Sequence, residues 1–431
     1  MKEMYTNIQS DEKPTAILVG LETAESANFD HSMEEMESLI DACGIEIYAV
    51  LTQKLSHPEA GTYLGSGKAE ELSELAKNAG VNYCIFEDNL SPAQLKNLQK
   101  IVGVPVWDRT TLILEIFSRR ARTREARLQV ESAYLQYMLP RLSGMWQHLG
   151  RQGGGGGSRA NKGIGETQLE LDRRQINKRI AELKRELESI SKTREIQRAG
   201  REKGGLFHVA LVGYTNAGKS TIMNRLLEYS GGDAEKKVFQ ENMLFATLDT
   251  STRLISLDGN INFLLSDTVG FIENLPHTLI KAFRSTLEEA LSADLLIIVL
   301  DVSDEYFRDH LDVTLKTLKD LEAENIPKII CYNKADLLPD EEQNIPKVKE
   351  NEIRMSAGKG IGLTELLDMI KNAISESCVS FKALIPFSRG ELINLLYKNA
   401  QILSEEYTAE GVLVSTTCPA SIYKQFEDFV V

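Results

Sequence analysis

One short stretch constrains the fold of this chain more than any other. The apolar residues 209–212 lead into G-x-x-x-x-G-K-S at residues 213–220, and a run with helical character, residues 222–227, follows. A strand, a glycine-rich turn and a helix in this order form a loop whose backbone N–H groups and helix N-terminus bind phosphate. The pattern predicts a P-loop in which Lys219 reaches the β- and γ-phosphates and Ser220 ligates Mg²⁺.

Length and composition are those of an ordinary multidomain protein. The 431 residues suggest about three domains of roughly 150 residues each. The five cysteines are scattered and include no C-x-x-C pair, which favours reduced thiols over a disulfide framework or a zinc site. No apolar run approaches the ~18 residues of a membrane span, and the N-terminus lacks a signal-peptide pattern. We therefore expect a cytoplasmic protein.

Charge is distributed unevenly along the chain. The whole sequence carries a net charge of −14, but residues 119–203 hold 20 Lys and Arg against 10 Asp and Glu, a net charge of +10. This asymmetry favours a basic arm on an acidic body, and such an arm can bind nucleic acid despite the acidic total. A solvated helical arm with many arginines is the alternative.

Strands and helices alternate in residues 15–109, which follow a polar segment, residues 1–14, that we expect to be disordered. The alternation predicts a small N-terminal α/β domain with a parallel sheet. Within it, residues 65–68 (G-S-G-K) resemble a fragment of a phosphate loop but lack the P-loop spacing. A plain loop, or a loop that touches RNA phosphates, is therefore favoured over a second nucleotide site.

Residues 110–203 have the pattern of a helical hairpin arm. Apolar residues recur at 3–4 spacing along the first segment until Pro140, with Arg124 and Glu131 interrupting the apolar seam. A second segment with coiled-coil spacing begins near Glu166. Each helix is predicted to be about 50 Å long at 1.5 Å per residue, and two helices of matching length pack as a long antiparallel hairpin.

A glycine-rich basic loop, residues 144–165, joins the two predicted helices. It contains five consecutive glycines, and the sequence from residue 132 to residue 165 has four basic residues and no acidic one. Cations and stacking-capable rings on a flexible backbone suit irregular RNA, although a disordered linker has a similar composition. The predicted RNA contacts are Arg141, Trp146, Arg151, Arg159 and Lys162.

Two motifs downstream of the P-loop concern the γ-phosphate. Thr247 lies roughly 25 residues past the Lys-Ser pair, where a switch threonine can ligate Mg²⁺ and sense the γ-phosphate. A D-x-x-G motif places Asp267 beside the metal ligands, where it does not bind the metal directly. The same motif points the Gly270 N–H toward the γ-phosphate. The candidate catalytic residues are Lys219, Thr247 and Gly270, and the candidate metal ligands are Ser220 and Thr247.

Two further motifs concern the base. N-K-x-D ends an apolar strand at residues 333–336, and the Asp336 carboxylate can accept the N1–H and the 2-amino group of guanine, neither of which adenine offers. Residues 356–357 end the next strand, where their backbone can meet the guanine O6. The candidate GTP-binding residues are Gly213, Tyr214, Thr215, Asn216, Ala217, Gly218, Lys219, Ser220, Thr221, Phe245, Ala246, Thr247, Leu248, Asp249, Asp267, Thr268, Val269, Gly270, Asn333, Lys334, Ala335, Asp336, Ser356, Ala357 and Gly358.

These motifs define a P-loop GTPase domain at residues 204–377, and residues 378–431 follow it as a small α+β domain of βαββα order. The predicted fold class is therefore multidomain α/β, with the N-terminal α/β domain and the helical hairpin preceding the GTPase domain. The last domain either contacts a protein partner or packs against the GTPase domain.

Residues 207–375 resemble a translation-factor-class GTPase domain, and the N-terminal half narrows the resemblance to the HflX family. The matching motifs are G-T-Y-L-G-S-G-K at residues 61–68, W-D-R-T at residues 107–110, G-I-G-E after the glycine loop and F-A-T-L-D at residues 245–249. The resemblance spans about residues 15–375. Trp107 departs from it, since an aliphatic residue is more usual there, and the C-terminal region is less diagnostic.

The resemblance implies a function for the whole chain. HflX proteins are bacterial GTPases that bind the large ribosomal subunit, and members are implicated in splitting stalled 70S ribosomes under stress. It implies GTP as substrate, Mg²⁺ as cofactor and a helical arm that reaches ribosomal RNA near the peptidyl-transferase region, with a monomeric protein and no DNA partner expected. The alternative is a GTP-regulated RNA-binding, assembly or sensing module without splitting activity. A third hypothesis, ATP-dependent RNA remodelling, rests only on residues 65–68.

One position shapes the expected mechanism. Many small GTPases carry a glutamine after the D-x-x-G glycine that orients the attacking water, and this chain has Phe271 there. A phenyl ring cannot orient water. We therefore expect slow hydrolysis by the free protein and stimulation by ribosomes.

Overall fold

The computed structural model describes residues 13–24, 28–142, 160–203, 206–231, 250–257, 261–272, 291–339 and 343–431. The chain divides into two compact units, one formed mainly by residues 1–188 and the other mainly by residues 189–431. Among the helices in these ranges, none has the length and apolar character needed to cross a membrane.

The first unit is built on a four-stranded parallel sheet of order β2-β1-β3-β4. The central strand β1 has six consecutive buried residues, as expected of a strand covered on both faces. The predicted α/β domain with a parallel sheet is confirmed. Its elements are β1 (Thr15–Glu22), α1 (Phe29–Ala42), β2 (Glu46–Lys54), α2 (Ser66–Ala79), β3 (Tyr83–Phe86), α3 (Pro92–Val102) and β4 (Val106–Trp107).

The first segment of the arm is two helices, α4 (Arg109–Arg120) and α5 (Arg124–Met138), and the prediction of one long helix is wrong. Ala121 takes an extended conformation after α4, and the Thr123 side chain caps α5 by accepting a backbone N–H of its first turn. A threonine hydroxyl at this position competes with helix continuation. The apolar spacing continues across the break, so periodicity alone does not reveal it.

The second segment is one long helix, α6 (Ala160–Lys203). Its 44 residues span roughly 66 Å at 1.5 Å per residue. Because α6 begins before Glu166, the last residues of the predicted loop 144–165 are helical. Single glycines such as Gly163 and Gly165 weaken a helix by only about 1 kcal/mol each, which a long helix tolerates.

α5 and α6 run antiparallel, as predicted for a helical hairpin. Arg179 donates from Nε and Nη2 to the two carboxylate oxygens of Glu131 at 2.8 and 2.9 Å, and Arg124 Nη2 lies 2.8 Å from Glu186 Oε2. The two residues that interrupt the apolar seam are therefore each paired with an opposite charge on the facing helix. Next to these pairs, Leu183 of α6 is fully buried.

The second unit contains a seven-stranded sheet of order β10-β11-β9-β8-β5-β7-β6. The two edge strands, β10 and β6, are antiparallel to their neighbours, and the remaining pairs are parallel. All seven residues of the central β5 are buried. The elements are β5 (Phe207–Gly213), α7 (Lys219–Tyr229), β6 (Ser251–Leu257), β7 (Ile261–Asp267), β8 (Leu295–Asp301), α8 (Phe307–Asp320), β9 (Lys328–Asn333), β10 (Lys347–Lys349), β11 (Glu352–Arg354) and α9 (Leu363–Glu376).

The C-terminal residues form a three-stranded antiparallel sheet of order β12-β14-β13 with helices beside it. The predicted βαββα order is confirmed, with β12 (Cys378–Ile385), α10 (Gly390–Asn399), β13 (Gln401–Tyr407), β14 (Val412–Pro419) and α11 (Ala420–Tyr423).

The final helix, α11, is a single turn, and a 3₁₀ turn, Glu427–Phe429, follows it. The chain then turns back, and Val431 N–H donates to Lys382 O of β12 at 2.9 Å. A longer helix would carry the terminus away from this bond.

Candidate nucleotide-binding site

The P-loop leaves the carboxyl end of β5 and enters α7. Gly213 has a φ of +140°, and a Cβ atom there would lie 2.2 Å from Val299 O of the neighbouring β8. Gly218 has a φ of +97°, and its Cβ would lie 2.2 Å from Asn333 Nδ2. Both the backbone conformation and the close approach of neighbours require glycine at these two positions.

Lys219 begins α7 and folds back over the loop. Its Nζ is buried and donates to Gly213 O at 3.0 Å and to Tyr214 O at 2.7 Å. Desolvation lowers the pKa of Lys219 from 10.5 to about 8, while the negative charge of Asp267 acts in the opposite direction. A phosphate beside Nζ would favour the charged form of this lysine.

Ser220 and Asp267 meet where β7 ends. Ser220 Oγ donates to Asp267 Oδ2 at 2.5 Å, and Asp267 is fully buried. A hydroxyl and a carboxylate side by side are the hard oxygen donors that Mg²⁺ takes in nucleotide sites, so these residues fit that ion. Thr247, the other predicted metal ligand, lies outside the described residues together with Phe245, Ala246, Leu248 and Asp249.

The D-x-x-G segment packs directly against the P-loop. A Cβ atom on Gly270 would lie 2.7 Å from Thr215 Cα. The Thr215 N–H donates to Phe271 O at 2.9 Å, and the Phe271 N–H donates to Gly213 O at 3.0 Å. The Phe271 side chain is buried. It therefore packs in the core and presents no polar group to a water molecule.

Asn333 connects three of the predicted motifs. Its Nδ2 donates to Ala217 O of the P-loop at 2.9 Å, and its Oδ1 accepts the Ala357 N–H at 2.9 Å. The side chain is buried. This one amide fixes the distance between the P-loop, the end of β9 and the loop at residues 356–358.

Two charged side chains of the N-K-x-D segment have opposite charges beside them. Lys334, with a φ of +60°, places Nζ 2.7 Å from Asp301 Oδ2 at the end of β8. The largely buried Asp336 carboxylate lies 3.7 Å from the exposed Lys359 Nζ. A guanine bound through Asp336 would therefore meet a carboxylate whose present partner is an exposed lysine at the surface.

Two contacts of this site were not predicted. The Tyr214 ring stacks on the His310 imidazole with ring centroids 3.8 Å apart and planes at 10°. Arg225 donates to backbone carbonyls of the loop at residues 356–358. Each partner is distant in sequence, so no local spacing signals either contact, although Arg225 does lie on the helix that follows the P-loop.

The predicted GTP-binding residues in the described ranges gather at one edge of the second sheet. The P-loop, residues 267–270, residues 333–336 and residues 356–358 follow the carboxyl ends of the parallel strands β5, β7, β9 and β11. Ligand sites in open parallel sheets form at this edge.

The predicted RNA-contacting residues have a different outcome. Arg141 is nearly buried, and its guanidinium donates to Tyr137 O and Leu90 O and lies 3.6 Å from Asp108 Oδ2. These contacts give Arg141 a packing role within the first unit, and its contact with RNA stays a prediction. Trp146, Arg151 and Arg159 lie outside the described residues, and Lys162 is in the first turn of α6, where only the backbone is described.

Comparisons with known proteins cover most of the chain. Three family models match consecutive parts of the chain: a GTP-binding GTPase N-terminal region at residues 30–118, a GTP-binding GTPase middle region at residues 120–201 and a 50S ribosome-binding GTPase at residues 208–334. A GTP-binding protein from Sulfolobus solfataricus, solved in complex with GDP, aligns over 84% of this chain and 98% of its own with 24% identity and a TM-score of 0.43.

Two curated relatives match over nearly their full length. GTPase HflX of Caldanaerobacter subterraneus subsp. tengcongensis is 40% identical over 420 residues, which are 97% of this chain and 94% of the relative. GTPase HflX of Escherichia coli is 38% identical over 403 residues, which are 93% of this chain and 92% of the relative. Together with a P-loop domain preceded by an α/β domain and a helical hairpin, these matches show that the chain is a GTPase of the HflX family.

Proposed function

We propose that the site at residues 213–220, 267–270, 333–336 and 356–358 binds GTP with its phosphates in the P-loop and its base at Asp336. The observation that carries this proposal is the pair of hydrogen bonds made by Asn333. They hold the P-loop and the loop at residues 356–358, the base loop, at a fixed separation. On binding, Lys219 would exchange its two carbonyl partners for phosphate oxygens. A negatively charged phosphate that accepts its hydrogen bonds offsets the burial of the lysine charge better than neutral carbonyls do.

Mg²⁺ is the cofactor that these oxygens suit. Ser220 and Thr247 are the proposed ligands. Asp267 would orient the Ser220 hydroxyl, which it already contacts, toward the ion. Bound Mg²⁺ would neutralise phosphate charge during hydrolysis. The P-loop amides and Lys219 would stabilise the same charge as preorganised hydrogen-bond donors.

The whole chain would act as a ribosome factor that binds the large subunit and, in its GTP state, splits or rescues stalled 70S ribosomes under stress in the cytoplasm. The 50S ribosome-binding description of the family model over residues 208–334 supports this proposal. The net charge of +10 on residues 119–203 supports an RNA-contacting arm. The arm would reach ribosomal RNA near the peptidyl-transferase region.

Sucrose-gradient sedimentation of 70S ribosomes tests this function. The protein is added with GTP, with a non-hydrolysable GTP analogue, or as Lys219→Ala with GTP. We expect 70S particles to convert to subunits with GTP and not with the variant. Conversion with the analogue as well would assign splitting to GTP binding and subunit release to hydrolysis. If the protein sediments with the large subunit while 70S particles stay whole, the splitting function is wrong and a sensing or assembly role replaces it.

A further inference from the structure

Arg225 of α7 contacts the loop at residues 356–358, the proposed base loop. Its Nε donates to Ala357 O at 3.2 Å and its Nη2 donates to Gly358 O at 2.7 Å. These are consecutive carbonyls on a loop more than a hundred residues away in sequence. The planar guanidinium presents its donors in a fixed fork, so two adjacent carbonyls must take a defined orientation to accept both bonds.

The orientation of these carbonyls fixes the backbone N–H groups of the loop. A trans peptide points its C=O and the following N–H in opposite directions. With Ala357 O turned to Arg225, the Gly358 N–H is turned to the opposite side. The preceding Ala357 N–H is already occupied by Asn333 Oδ1, and the following Lys359 N–H by Ser356 Oγ at 3.2 Å. Of these three amides, Gly358 is the one whose direction is set through Ala357 O, which accepts from Arg225 and also from the Gly360 N–H at 3.2 Å.

We propose that Arg225 is a positioning residue for base recognition, which holds the Gly358 N–H toward the O6 atom of a bound guanine. This inference rests on the proposed base site at Asp336 and deepens it. Asp336 would read the N1–H and 2-amino donors of the base, and the Gly358 amide would read its one acceptor at C6. The arrangement couples the helix that follows the phosphate loop to base selectivity.

The remaining contact of Arg225, an ion pair with Glu228, does not explain why an arginine stands at this position. Arg225 Nη1 lies 3.0 Å from Glu228 Oε2, one turn along the same helix, and both side chains are about 40% exposed. Exposed pairs at this spacing contribute little to stability. Glu228 contacts the third guanidinium nitrogen, the one that does not bond to the loop. A substitution at Glu228 is therefore a matched control.

The test compares the affinity of the full-length protein for GDP and for 6-thio-GDP, in which sulfur, a weaker hydrogen-bond acceptor, replaces O6. Wild type, Arg225→Met and Arg225→Lys are measured beside Glu228→Gln as the control. We expect wild type and Glu228→Gln to prefer GDP, and Arg225→Met to lose about fivefold of that preference, the size of one hydrogen bond. Arg225→Lys should lose most of it too, because an ammonium cannot span both carbonyls.

The ratio of the two affinities separates positioning from general damage, because a misfolded fraction lowers both affinities equally. An Arg225→Met variant that retains the wild-type ratio of the two affinities, even if it binds both nucleotides more weakly, would overturn the proposal. Asp336→Asn, measured with GDP and XDP, tests the underlying base site separately. If that variant does not gain preference for XDP, the base site itself is wrong, and if it does, a constant ratio in Arg225→Met refutes the role of Arg225 alone.

Discussion

At the residue scale, the nucleotide site depends on buried polar groups whose partners come from different motifs. Lys219 is the clearest case, since its Nζ is held by two carbonyls of the loop it closes. Burial lowers its pKa to about 8. In the absence of nucleotide, the folded protein therefore holds this proton less tightly than the unfolded chain does.

This difference predicts a pH-dependent stability. Between the folded pKa of about 8 and the ordinary value of 10.5, the unfolded state binds more protons, so stability rises with pH. We expect wild type to gain up to about 3 kcal/mol relative to Lys219→Met as the pH passes through this window. Urea unfolding of both proteins across the pH series, followed by circular dichroism, measures the difference. Parallel stability curves would show that the lysine is not desolvated.

The motif residues of the site could be predicted from the sequence, and their partners could not. Short spacings such as G-x-x-x-x-G-K-S and N-K-x-D specify local turns at strand ends, and the parallel sheet brings those ends to one edge. The stack of Tyr214 on His310 and the bonds of Arg225 to residues 357 and 358 join segments that only the tertiary fold brings together. No local pattern encodes such pairs.

At the element scale, the arm shows how periodicity succeeds and fails. The heptad-like spacing predicted an antiparallel helix pair, and α5 and α6 form one. The same spacing ran through Ala121 and Thr123, where the chain breaks between α4 and α5. Burial constrains only the spacing of apolar residues, whereas a capped break depends on one hydroxyl. The three-residue strand β10 is wholly exposed and carries no apolar alternation to reveal it.

The packing of α5 on α6 predicts unequal effects of two leucine substitutions on one helix. Leu183 of α6 is fully buried, whereas Leu171 is 48% exposed. Leu183→Ala should lower the unfolding free energy by about 3 kcal/mol because it leaves a cavity, and Leu171→Ala should change it little. Thermal unfolding of both variants provides the comparison. Equal shifts in melting temperature would mean that the helix pair is not held by this seam.

At the scale of the whole molecule, the separation of charge along the chain is the feature that most directly suggests a partner. A segment with a net charge of +10 lies within a chain of net charge −14. Electrostatic binding to RNA releases counterions and weakens as salt rises. The acidic remainder would limit non-specific binding elsewhere on the same RNA.

This separation predicts that arm cations control ribosome affinity. Arg173, Arg174 and Lys178 of α6 are exposed, and their combined replacement by Glu should weaken binding to large subunits and flatten its salt dependence. Replacement of the exposed Lys316, Lys319 and Lys349 of the second unit by Glu makes the same change in net charge and should have a smaller effect. Pelleting assays over a salt series measure both slopes. Identical slopes would assign binding to net charge and not to the arm.

The most direct measurement is single-turnover GTP hydrolysis with and without large ribosomal subunits. Phe271 is buried and bonded to the P-loop through its backbone, so the free protein lacks a side chain there to orient water. We predict slow hydrolysis by the free protein and an acceleration of at least about a thousandfold by the subunit, on the scale of groups supplied in trans to other GTPases. Equal rates with and without subunits would contradict the proposal that this GTPase completes its site on the ribosome.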